Sequence, residues 1–489
     1  MACISEPYAH CCCGGCCRIV IAPYAKGMEA VFTPEQMRYI DAHSAVDVAV
    51  FIRQAGFAVA QVALRMLGGS YGKHVVVLAG KGNNGEDGRV ASEFLRTRGI
   101  KVSLFASNEI PPQLPECDLV IDAVYGTGLR GEFFAPITNA PILAVDIPSG
   151  VDAITGECRG IPFVAQQTVT FGALKPGIVL QPGRTHAGVV TVASLDLPLN
   201  LGQHVDEKTM NVVTRGDIEQ WIPSRAPTTH KWKSGVRAIA GSRTMMGAAQ
   251  LSCAAAYKAG AGIVHLSSIG GVPETIAPLE VVYRPVSELH WADQCLSDIE
   301  RFASALIGPG LGRGDELVDE VFHFVSRCPV PLVIDGDGLQ ILASSRDGQR
   351  RNMTNFFAQR TAETVLTPHD GEFSALTGER PSADRIADTR KAAATLKAVV
   401  LLKGSTTVVA EPSGNVFCIT NGDARLATAG SGDVLTGVIA ALLAMGLNAF
   451  HAAAAGAFIH GNALERLPEY GVVASDIVQE IQVGGYGCI

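Results

Sequence analysis

Short apolar runs that end at glycine-rich loops alternate with helix-like segments along this chain of 489 residues. In the first half, a β-branched run at residues 74–78 is followed by a glycine-rich turn, a helix-like segment and another apolar run at residues 101–106. This order predicts a βαβ unit. Residues 237–267 begin the same alternation in the second half. Short strands of this kind are typical of parallel sheets buried on both faces, so the sequence predicts an α/β fold.

The length of the chain indicates two domains, because a single hydrophobic core seldom grows beyond about 250 residues. The hydrophobic pattern fades between residues 195 and 218, and a basic, proline-bearing loop follows. Thr33, Pro34 and Gln36 match the start of a helix with a capping box, which marks the beginning of the first domain. We predict a disordered tail over residues 1–32, a first domain over residues 33–210 and a second domain over residues 211–489.

The charge balance argues against some classes of partner. The chain has 39 basic and 47 acidic residues and a net charge of -8, which does not suit a nucleic-acid or anionic-membrane surface. We expect small-molecule substrates, no nucleic acid and no membrane. Residues 434–464 lack Lys, Arg, Asp and Glu, but Gly446 and Asn448 divide this run into segments too short to span a bilayer. We predict two buried helices there.

Six of the 13 cysteines fall within the first 17 residues. We predict that this cysteine-rich segment belongs to a disordered tail. A metal-binding or acylated segment is the alternative, although a second ligand pair at zinc spacing is missing. The other cysteines are scattered, which indicates free thiols in a reducing compartment. No signal sequence is recognisable before the first motif, so we expect a cytoplasmic protein. We also expect a homo-oligomer.

Three loops of the first half carry polar side chains at predicted strand ends. They bear Asn83, Asn84 and Asp87; Asp122; and Asp146 and Ser149. The carboxyl ends of parallel strands are where open α/β sheets bind ligands. Oxygen ligands suit a hard cation, and glycines let backbone amides approach a phosphate. One such loop alone could be an ordinary βα turn, but three together predict a cation-assisted anion site.

The motifs FTPEQMR, NNG-x-DG, DAVYGTGLRG, DIPSGVDA and TFGALKPG follow one another over residues 33–198. In this order they resemble the N-terminal YjeF domain, the NAD(P)H-hydrate epimerase family. The resemblance implies a Rossmann-like domain, an acid/base role for Asp146 and a potassium ion held by Asn84, Asp122 and Ser149. It also implies substrate contacts from Asn83, Asn84, Gly85, Glu86, Asp87, Gly126, Thr127, Gly128, Leu129, Arg130, Gly131, Glu132 and Asp146. Glu86 stands where the family has glycine, and a positive φ there would strain it.

In the second half, a glycine-rich loop enters a hydrophobic helix at Gly430, Ser431, Gly432 and Asp433. Successive amides at a helix start form an anion site. A carboxylate in that place can deprotonate a substrate hydroxyl while the amides stabilise a phosphoryl group. A simple N-cap role for Asp433 is the alternative. Three further loops precede this one and carry Gly312, His369 and Lys403.

These four loops, in this order, resemble the ribokinase-like superfamily and in particular the C-terminal YjeF domain, the NAD(P)H-hydrate dehydratase. The resemblance implies two three-layer α/β/α domains in all, Rossmann-like and then ribokinase-like. It implies that Asp433 is catalytic and that Ala248, Gly312, His369 and Asp433 contact the hydrate. It places the adenine nucleotide, ADP or ATP, at Lys403, Gly404, Ser405, Thr406, Thr407 and Gly432. Glu372 would position a magnesium ion through water.

Alternatives to a bifunctional repair enzyme remain open from the residues alone. The second domain could be an ATP-dependent kinase of a small alcohol, which would use the same loop around Asp433. The first domain could be a ligand-binding scaffold without catalysis. The choice between ADP and ATP also stays open.

Overall fold

The computed structural model describes residues 28–270, 278–346, 349–350 and 353–484. The predicted tail falls mostly on residues 1–27, which lie outside the described residues. Glu29–Ala30, however, form a strand, so ordered structure begins before the predicted start of the first domain.

The first part of the chain forms an α/β sheet with its helices. The strands are β1 (Glu29–Ala30), β2 (His74–Ala79), β3 (Lys101–Ala106), β4 (Leu119–Ala123), β5 (Phe133–Phe134), β6 (Ile142–Val145), β7 (Gly160–Ile161), β8 (Gln167–Phe171) and β9 (Val189–Ala193). The helices are α1 (Pro34–His43), α2 (Val48–Leu67), α3 (Asn83–Thr97), α4 (Pro176–Val179) and α5 (Gly183–Ala187). The capping box predicted at the start of α1 is present, since Thr33 and Gln36 exchange side-chain to backbone hydrogen bonds.

In the described residues of this part, a parallel sheet has the strand order β3-β2-β4-β6-β8-β9. Helices α2 and α3 cover one face, where Val59 and Ala63 of α2 are fully buried against the sheet. Connecting segments, including the β5 and β7 pair, cover the other face. The chain leaves β2 toward β3 on one side and then returns to β4 on the other. This reversal opens a crevice at the carboxyl ends of β2 and β4.

The second part of the chain forms a larger sheet. Its strands are β10 (Met210–Val212), β11 (Gly235–Ile239), β12 (Ile263–Ser267), β13 (Val282–Tyr283), β14 (Ser304–Ile307), β15 (Leu332–Ile334), β16 (Ser345–Arg346), β17 (Gln349–Arg350), β18 (Thr364–Leu366), β19 (Val399–Leu402), β20 (Thr407–Ala410) and β21 (Val416–Ile419). Its helices are α6 (Arg215–Trp221), α7 (Met246–Lys258), α8 (Trp291–Leu296), α9 (Glu316–Arg327), α10 (Asp337–Ala343), α11 (Met353–Ala358), α12 (Asp370–Thr377), α13 (Arg385–Leu396), α14 (Ser431–Ala444), α15 (Ala449–Asn462) and α16 (Ala474–Glu480). Short 3₁₀ helices lie at Leu199–His204, Lys231–Ser234, Ile299–Arg301, Ala424–Leu426 and Ala463–Arg466.

Across the part of the chain that the structure describes, this sheet has the order β1-β10-β21-β20-β19-β18-β15-β14-β11-β12-β13. Most neighbours are parallel, whereas β19, β20 and β21 pair antiparallel in succession. Helices α7, α14, α15 and α16 bury one face, and α8, α9, α10, α12 and α13 bury the other. This arrangement is the predicted three-layer α/β/α fold. Strand β1 pairs with β10, so the beginning of the first part completes the edge of the second sheet.

The charge-free run at residues 434–464 forms α14 and α15, which are both buried, as predicted. Among the described residues, α2 has the length and hydropathy of a membrane span. Its buried side packs on the first sheet like the core helix of a globular domain.

Candidate active sites

A cavity of about 730 Å³ lies at the carboxyl ends of the strands of the first sheet. Its lining contains seven of the predicted epimerase residues, namely Asn83, Asn84, Asp87, Gly126, Thr127, Gly128 and Asp146. Gly85, Glu86, Leu129, Arg130, Gly131 and Glu132 lie outside that lining. Four charged residues that the sequence did not single out also line it, namely Arg38, Asp41, Lys81 and Lys175.

Asp146 lies directly after β6 and has a positive φ of 65°. Such a backbone costs free energy for a residue other than glycine and is common at functional sites. Its Oδ1 accepts hydrogen bonds from the Lys175 Nζ at 2.5 Å and from the Thr170 Oγ1 at 3.0 Å. The Lys175 ammonium is 2% exposed and also donates to the Phe171 carbonyl. The fold therefore holds a carboxylate and a buried ammonium together at the cavity wall.

Asp87 supplies a second carboxyl group in a different environment. It lies in the first turns of α3 and is buried. Burial raises its pKa to about 8, and the charges of Asp146, Asp41 and Glu86 act in the same direction against the opposing Lys175. At neutral pH, Asp87 is consequently protonated and can donate a hydrogen bond, while Asp146 is paired with an ammonium. Two carboxyl groups with divergent environments are the usual arrangement for acid/base chemistry.

Of the three residues predicted to hold potassium, Asn84 lines the cavity, and Asp122 and Ser149 are hydrogen-bonded to each other. The Ser149 hydroxyl and amide donate to the two oxygens of Asp122, at 2.6 and 2.8 Å. Asp122 is fully buried, and burial raises its pKa to about 6. The side-chain oxygen of Asn84 lies beside the backbone of Gly126, and its Nδ2 is buried without a hydrogen-bond partner. These donors are a carboxylate, a hydroxyl and an amide, so they fit a hard monovalent cation.

The loop between β2 and α3 explains two residues of the NNGED motif. A Cβ at Gly85 would lie 2.0 Å from the Gly80 carbonyl oxygen, so only glycine fits there. Glu86 lies in the first turn of α3, where its backbone is helical and its exposed carboxylate pairs with Arg89 at 2.8 Å. The departure from the family glycine therefore creates no backbone strain.

The loop at Gly430 begins the second site. Gly430 is the N-cap of α14 and has a positive φ of 86°. Asp433 lies in the first turn of the helix, and so the N-cap role considered for it falls to Gly430. The free amides of this turn point out of the helix start, next to the Asp433 carboxylate.

An ion pair lies directly beneath this helix start. The Lys403 Nζ is 2.6 Å from the Asp335 Oδ1, and the Thr436 hydroxyl donates to the other Asp335 oxygen at 2.5 Å. A Cβ on Gly432 would lie 3.2 Å from the Lys403 Nζ, which places the ammonium against the backbone of the anion site. Burial lowers the pKa of Lys403, but Asp335 and Glu372 outweigh this effect and raise it. Lys403 is therefore a fixed positive charge, and Asp335 is a partner that the sequence did not single out.

Burial and the neighbouring Asp335 raise the pKa of Asp433 to about 7, against the attraction of Lys403. A carboxylate with a pKa near the working pH is a more effective base than an ordinary aspartate. This environment distinguishes Asp433 from an ordinary exposed carboxylate at a helix N-terminus.

The remaining predicted residues lie at the same edge of the sheet. They are His369, Glu372, Gly312 and Ala248. His369 is the N-cap of α12, and its Nδ1 accepts hydrogen bonds from the Gly371 and Glu372 amides. Buried Glu372 accepts from the His369 amide and lies 4.0 Å from the Lys403 Nζ. Burial raises the pKa of Glu372, while Lys403 opposes that shift. Gly312 has a positive φ of 92°, and Ala248 lies in the first turn of α7.

The predicted nucleotide loop divides into two parts. Lys403 faces the anion site, whereas Gly404 lies beside Arg385, which pairs with Asp370 at 2.8 Å. The Thr406 side chain is buried and donates to the Val179 carbonyl of α4 at 2.7 Å. At Thr406, therefore, the backbone and not the side chain would contact a nucleotide. The Ser405 carbonyl accepts a hydrogen bond from Arg184 of α5, and the Thr407 hydroxyl donates to the Gly404 carbonyl at 3.5 Å.

A bound magnesium ion would rely on few protein ligands. Within the described residues, no group of three or more His, Cys, Asp or Glu side chains could hold a metal ion. Mg²⁺ sites of nucleotide enzymes commonly use one or two carboxylates with phosphate oxygens and water. Glu372 and Asp433 fit such a site.

The sequence matches models of two families. A model described as NAD(P)H-hydrate dehydratase matches residues 236–482, and a model described as YjeF-related protein N-terminus matches residues 48–113 and 105–177. The bifunctional NAD(P)H-hydrate repair enzyme Nnr of Thermofilum pendens is 34% identical over 467 residues, which cover 84% of this chain and 86% of the relative. The enzymes of that name from Mycobacterium tuberculosis and Escherichia coli are 37% and 33% identical over 439 and 455 residues. Those alignments cover 82% and 84% of this chain, and 86% and 84% of the relatives.

The chain belongs to the family of bifunctional NAD(P)H-hydrate repair enzymes.

The repair enzyme therefore joins a YjeF-related N-terminal domain to an NAD(P)H-hydrate dehydratase domain, as the motifs predicted, and these relatives do not support the kinase alternative. Among solved structures, the ADP/ATP-dependent NAD(P)H-hydrate dehydratase from Bacillus subtilis, co-crystallized with ATP/Mg2+, is 26% identical. Its TM-score is 0.46, and the match covers 55% of this chain and 95% of that chain.

Lys175 and Asp335 are the main functional residues that sequence reasoning missed. Lys175 lies within the motif TFGALKPG, and Asp335 ends the apolar run of β15. A polar residue directly after a buried strand was the available signal for Asp335.

Proposed function

We propose that this chain restores hydrated NADH and NADPH in two steps. The first domain interconverts the R and S epimers of the hydrate, and the second dehydrates the S epimer with ADP or ATP. The observation that carries the proposal is Asp433, whose pKa is raised to about 7 beside Lys403 at the start of α14.

In the epimerase cavity, the hydrate carbon bears both a hydroxyl group and the ring nitrogen. Its configuration changes when that centre opens or loses water and then closes on the opposite face. We assign the proton transfers to Asp146, which Lys175 and Thr170 hold in place. Protonated Asp87 donates a hydrogen bond or a proton on the same wall. A potassium ion at Asn84, Asp122 and Ser149 would supply positive charge behind the substrate phosphates.

In the dehydratase site, Asp433 accepts the proton of the hydrate hydroxyl while the hydroxyl oxygen forms a bond to the terminal phosphorus of the nucleotide. The bond between that phosphorus and the bridging oxygen breaks, and the shortened nucleotide leaves with the electron pair. The amides at the start of α14 and the Lys403 ammonium stabilise the phosphoryl group. The C–O bond then breaks with release of phosphate, because the adjacent ring nitrogen donates its electron pair and a neighbouring carbon loses a proton. From ADP, the other product is AMP. Magnesium near Glu372 would neutralise phosphate charge.

We extend the proposal to the setting of the enzyme. We propose a cytoplasmic homo-oligomer that acts on small molecules and engages neither nucleic acid nor membrane. The net charge of -8 and the absence of a disulfide framework in the sequence support this setting.

The purified chain with a mixture of NADH hydrate epimers, magnesium and either ADP or ATP tests both halves. We expect complete recovery of NADH absorbance, which measures dehydration directly. D433N should abolish recovery from both epimers, whereas D146N should recover the S epimer and leave the R epimer to slow spontaneous epimerisation. D293N changes an exposed aspartate of α8 and serves as the matched control. A stable phosphorylated hydrate, or recovery without nucleotide, would refute the dehydratase assignment.

A further inference from the structure

The loop that we assign to the nucleotide is held by side-chain and backbone groups of the other domain. The Arg184 Nη1 of α5 donates to the Ser405 carbonyl at 3.3 Å. The Thr406 hydroxyl donates to the Val179 carbonyl at 2.7 Å. Both donors are buried, with Arg184 7% and Thr406 2% exposed. Two successive residues of one nucleotide loop thus bond to the segment α4–α5 of the epimerase domain.

Apolar packing keeps this segment against the loop. Val179 and Leu180 are buried in the same hydrophobic cluster as Val408, which follows the loop in β20. The segment α4–α5 and strand β20 therefore share one buried hydrophobic cluster. Because their donors are buried, the two hydrogen bonds to the loop are replaced by bonds to water only if the two domains separate.

The charge of Arg184 also acts on the second loop of the site, which carries Asp423. Its positive charge contributes to the lowering of the pKa of Asp423, although Arg425 is the larger cause. Asp423 follows β21, which pairs with β20 and leads into the loop that ends at Gly430. The guanidinium thus holds the first loop by a hydrogen bond, and its charge acts on the second loop.

We propose that Arg184 is a positioning residue for nucleotide binding, supplied to the dehydratase site by the epimerase domain. This inference rests on the proposed nucleotide site. Arg184 fixes the Ser405 carbonyl and so sets the course of the backbone between Lys403 and Thr407. Without this anchor the loop samples further conformations, and the nucleotide must select the competent one, which weakens its apparent affinity.

The test compares R184M, R184K and the control R159M in the full chain. Arg159 belongs to the same domain, is half exposed and pairs with Asp152. For R184M we expect the KM for ADP and for ATP to rise about tenfold, as for loss of one hydrogen bond to a charged donor. The kcat, the KM for the hydrate and the epimerase rate should stay within about twofold. R184K, which keeps a charged donor, should recover most of the affinity.

Direct titration with ADP and ATP in the presence of Mg²⁺ gives the dissociation constants of the same variants. A folded R184M with unchanged nucleotide affinity overturns the inference. If R184M does not fold, T406V decides, because it keeps the side-chain volume and removes only the bond to Val179. T406V must then weaken nucleotide binding, and unchanged binding overturns the inference equally. K403M distinguishes failure of the Arg184 inference from failure of the proposed nucleotide site. Unchanged nucleotide binding in K403M would contradict the nucleotide site itself.

Discussion

The raised pKa of Asp433 predicts a pH dependence that the substitution Asp335→Asn should move. In the proposed mechanism Asp433 acts as a base in its deprotonated form, and its pKa of about 7 lies well above the ordinary value of 3.8. Below that pKa, kcat/KM for the hydrate should fall about tenfold per pH unit, and above it the rate should level off. The cause of the shift is burial first and the Asp335 charge second.

Removing the Asp335 charge acts on Asp433 in two ways with the same sign. The repulsion between the two carboxylates disappears, and Lys403 loses its partner at 2.6 Å and becomes free to attract Asp433. At an effective dielectric constant of about 20, a unit charge within roughly 10 Å contributes about 1.5 kcal/mol or more. One pKa unit corresponds to about 1.4 kcal/mol. We therefore expect the midpoint of the profile to fall by about one pH unit or more.

The assay is the rate of NADH recovery at low hydrate concentration between about pH 5 and pH 9. The plateau of D335N should be lower than that of the parent, because Lys403 is no longer fixed, so each profile is compared with its own plateau. D337N provides a graded comparison, since Asp337 acts on Asp433 in the same direction but more weakly. A D335N midpoint that stays at the parental value, or rises, would refute this account of Asp433.

Three further outcomes follow from the first domain. K175M should lower the epimerase rate by about a hundredfold or more and leave S-epimer dehydration unchanged, because Asp146 loses its cation. A normal epimerisation rate, measured from separated R and S epimers, would exclude a role for Lys175. G85A should destabilise the first domain by about 2 kcal/mol, because its Cβ would lie 2.0 Å from the Gly80 carbonyl oxygen; urea unfolding measures this, and a change below about 0.5 kcal/mol contradicts the close contact. Replacing potassium with N-methylglucamine should slow epimerisation alone, and D122N should remove this dependence; equal rates in both salts would argue against a cation site.

Much of each site could be predicted from local sequence. Asn84, Asp122, Ser149 and Asp146 follow short apolar strands, and parallel strands bring their carboxyl ends to one edge of a sheet. Lys403 and Asp433 follow from the same rule together with the properties of a helix start. Glycine-rich turns fix these positions through backbone conformation, which depends on neighbours in the sequence.

The partners of these residues come from long-range packing. Lys175 meets Asp146 across 29 residues and Asp335 meets Lys403 across 68, and no periodicity of either segment encodes the pairing. The Glu86 backbone was likewise decided by its place in α3.

The sequence by itself determined the alternation of strands and helices, the strand-end loops and the place of Asp433 at a helix start, because strand, turn and helix signals act over a few residues. Only the tertiary structure decided which charges surround those loops. Burial and Asp335 give Asp433 its raised pKa, and 221 residues separate Arg184 from the Ser405 carbonyl that it holds. Desolvation and Coulomb interactions depend on distances in space, and these exist only once the two sheets have packed.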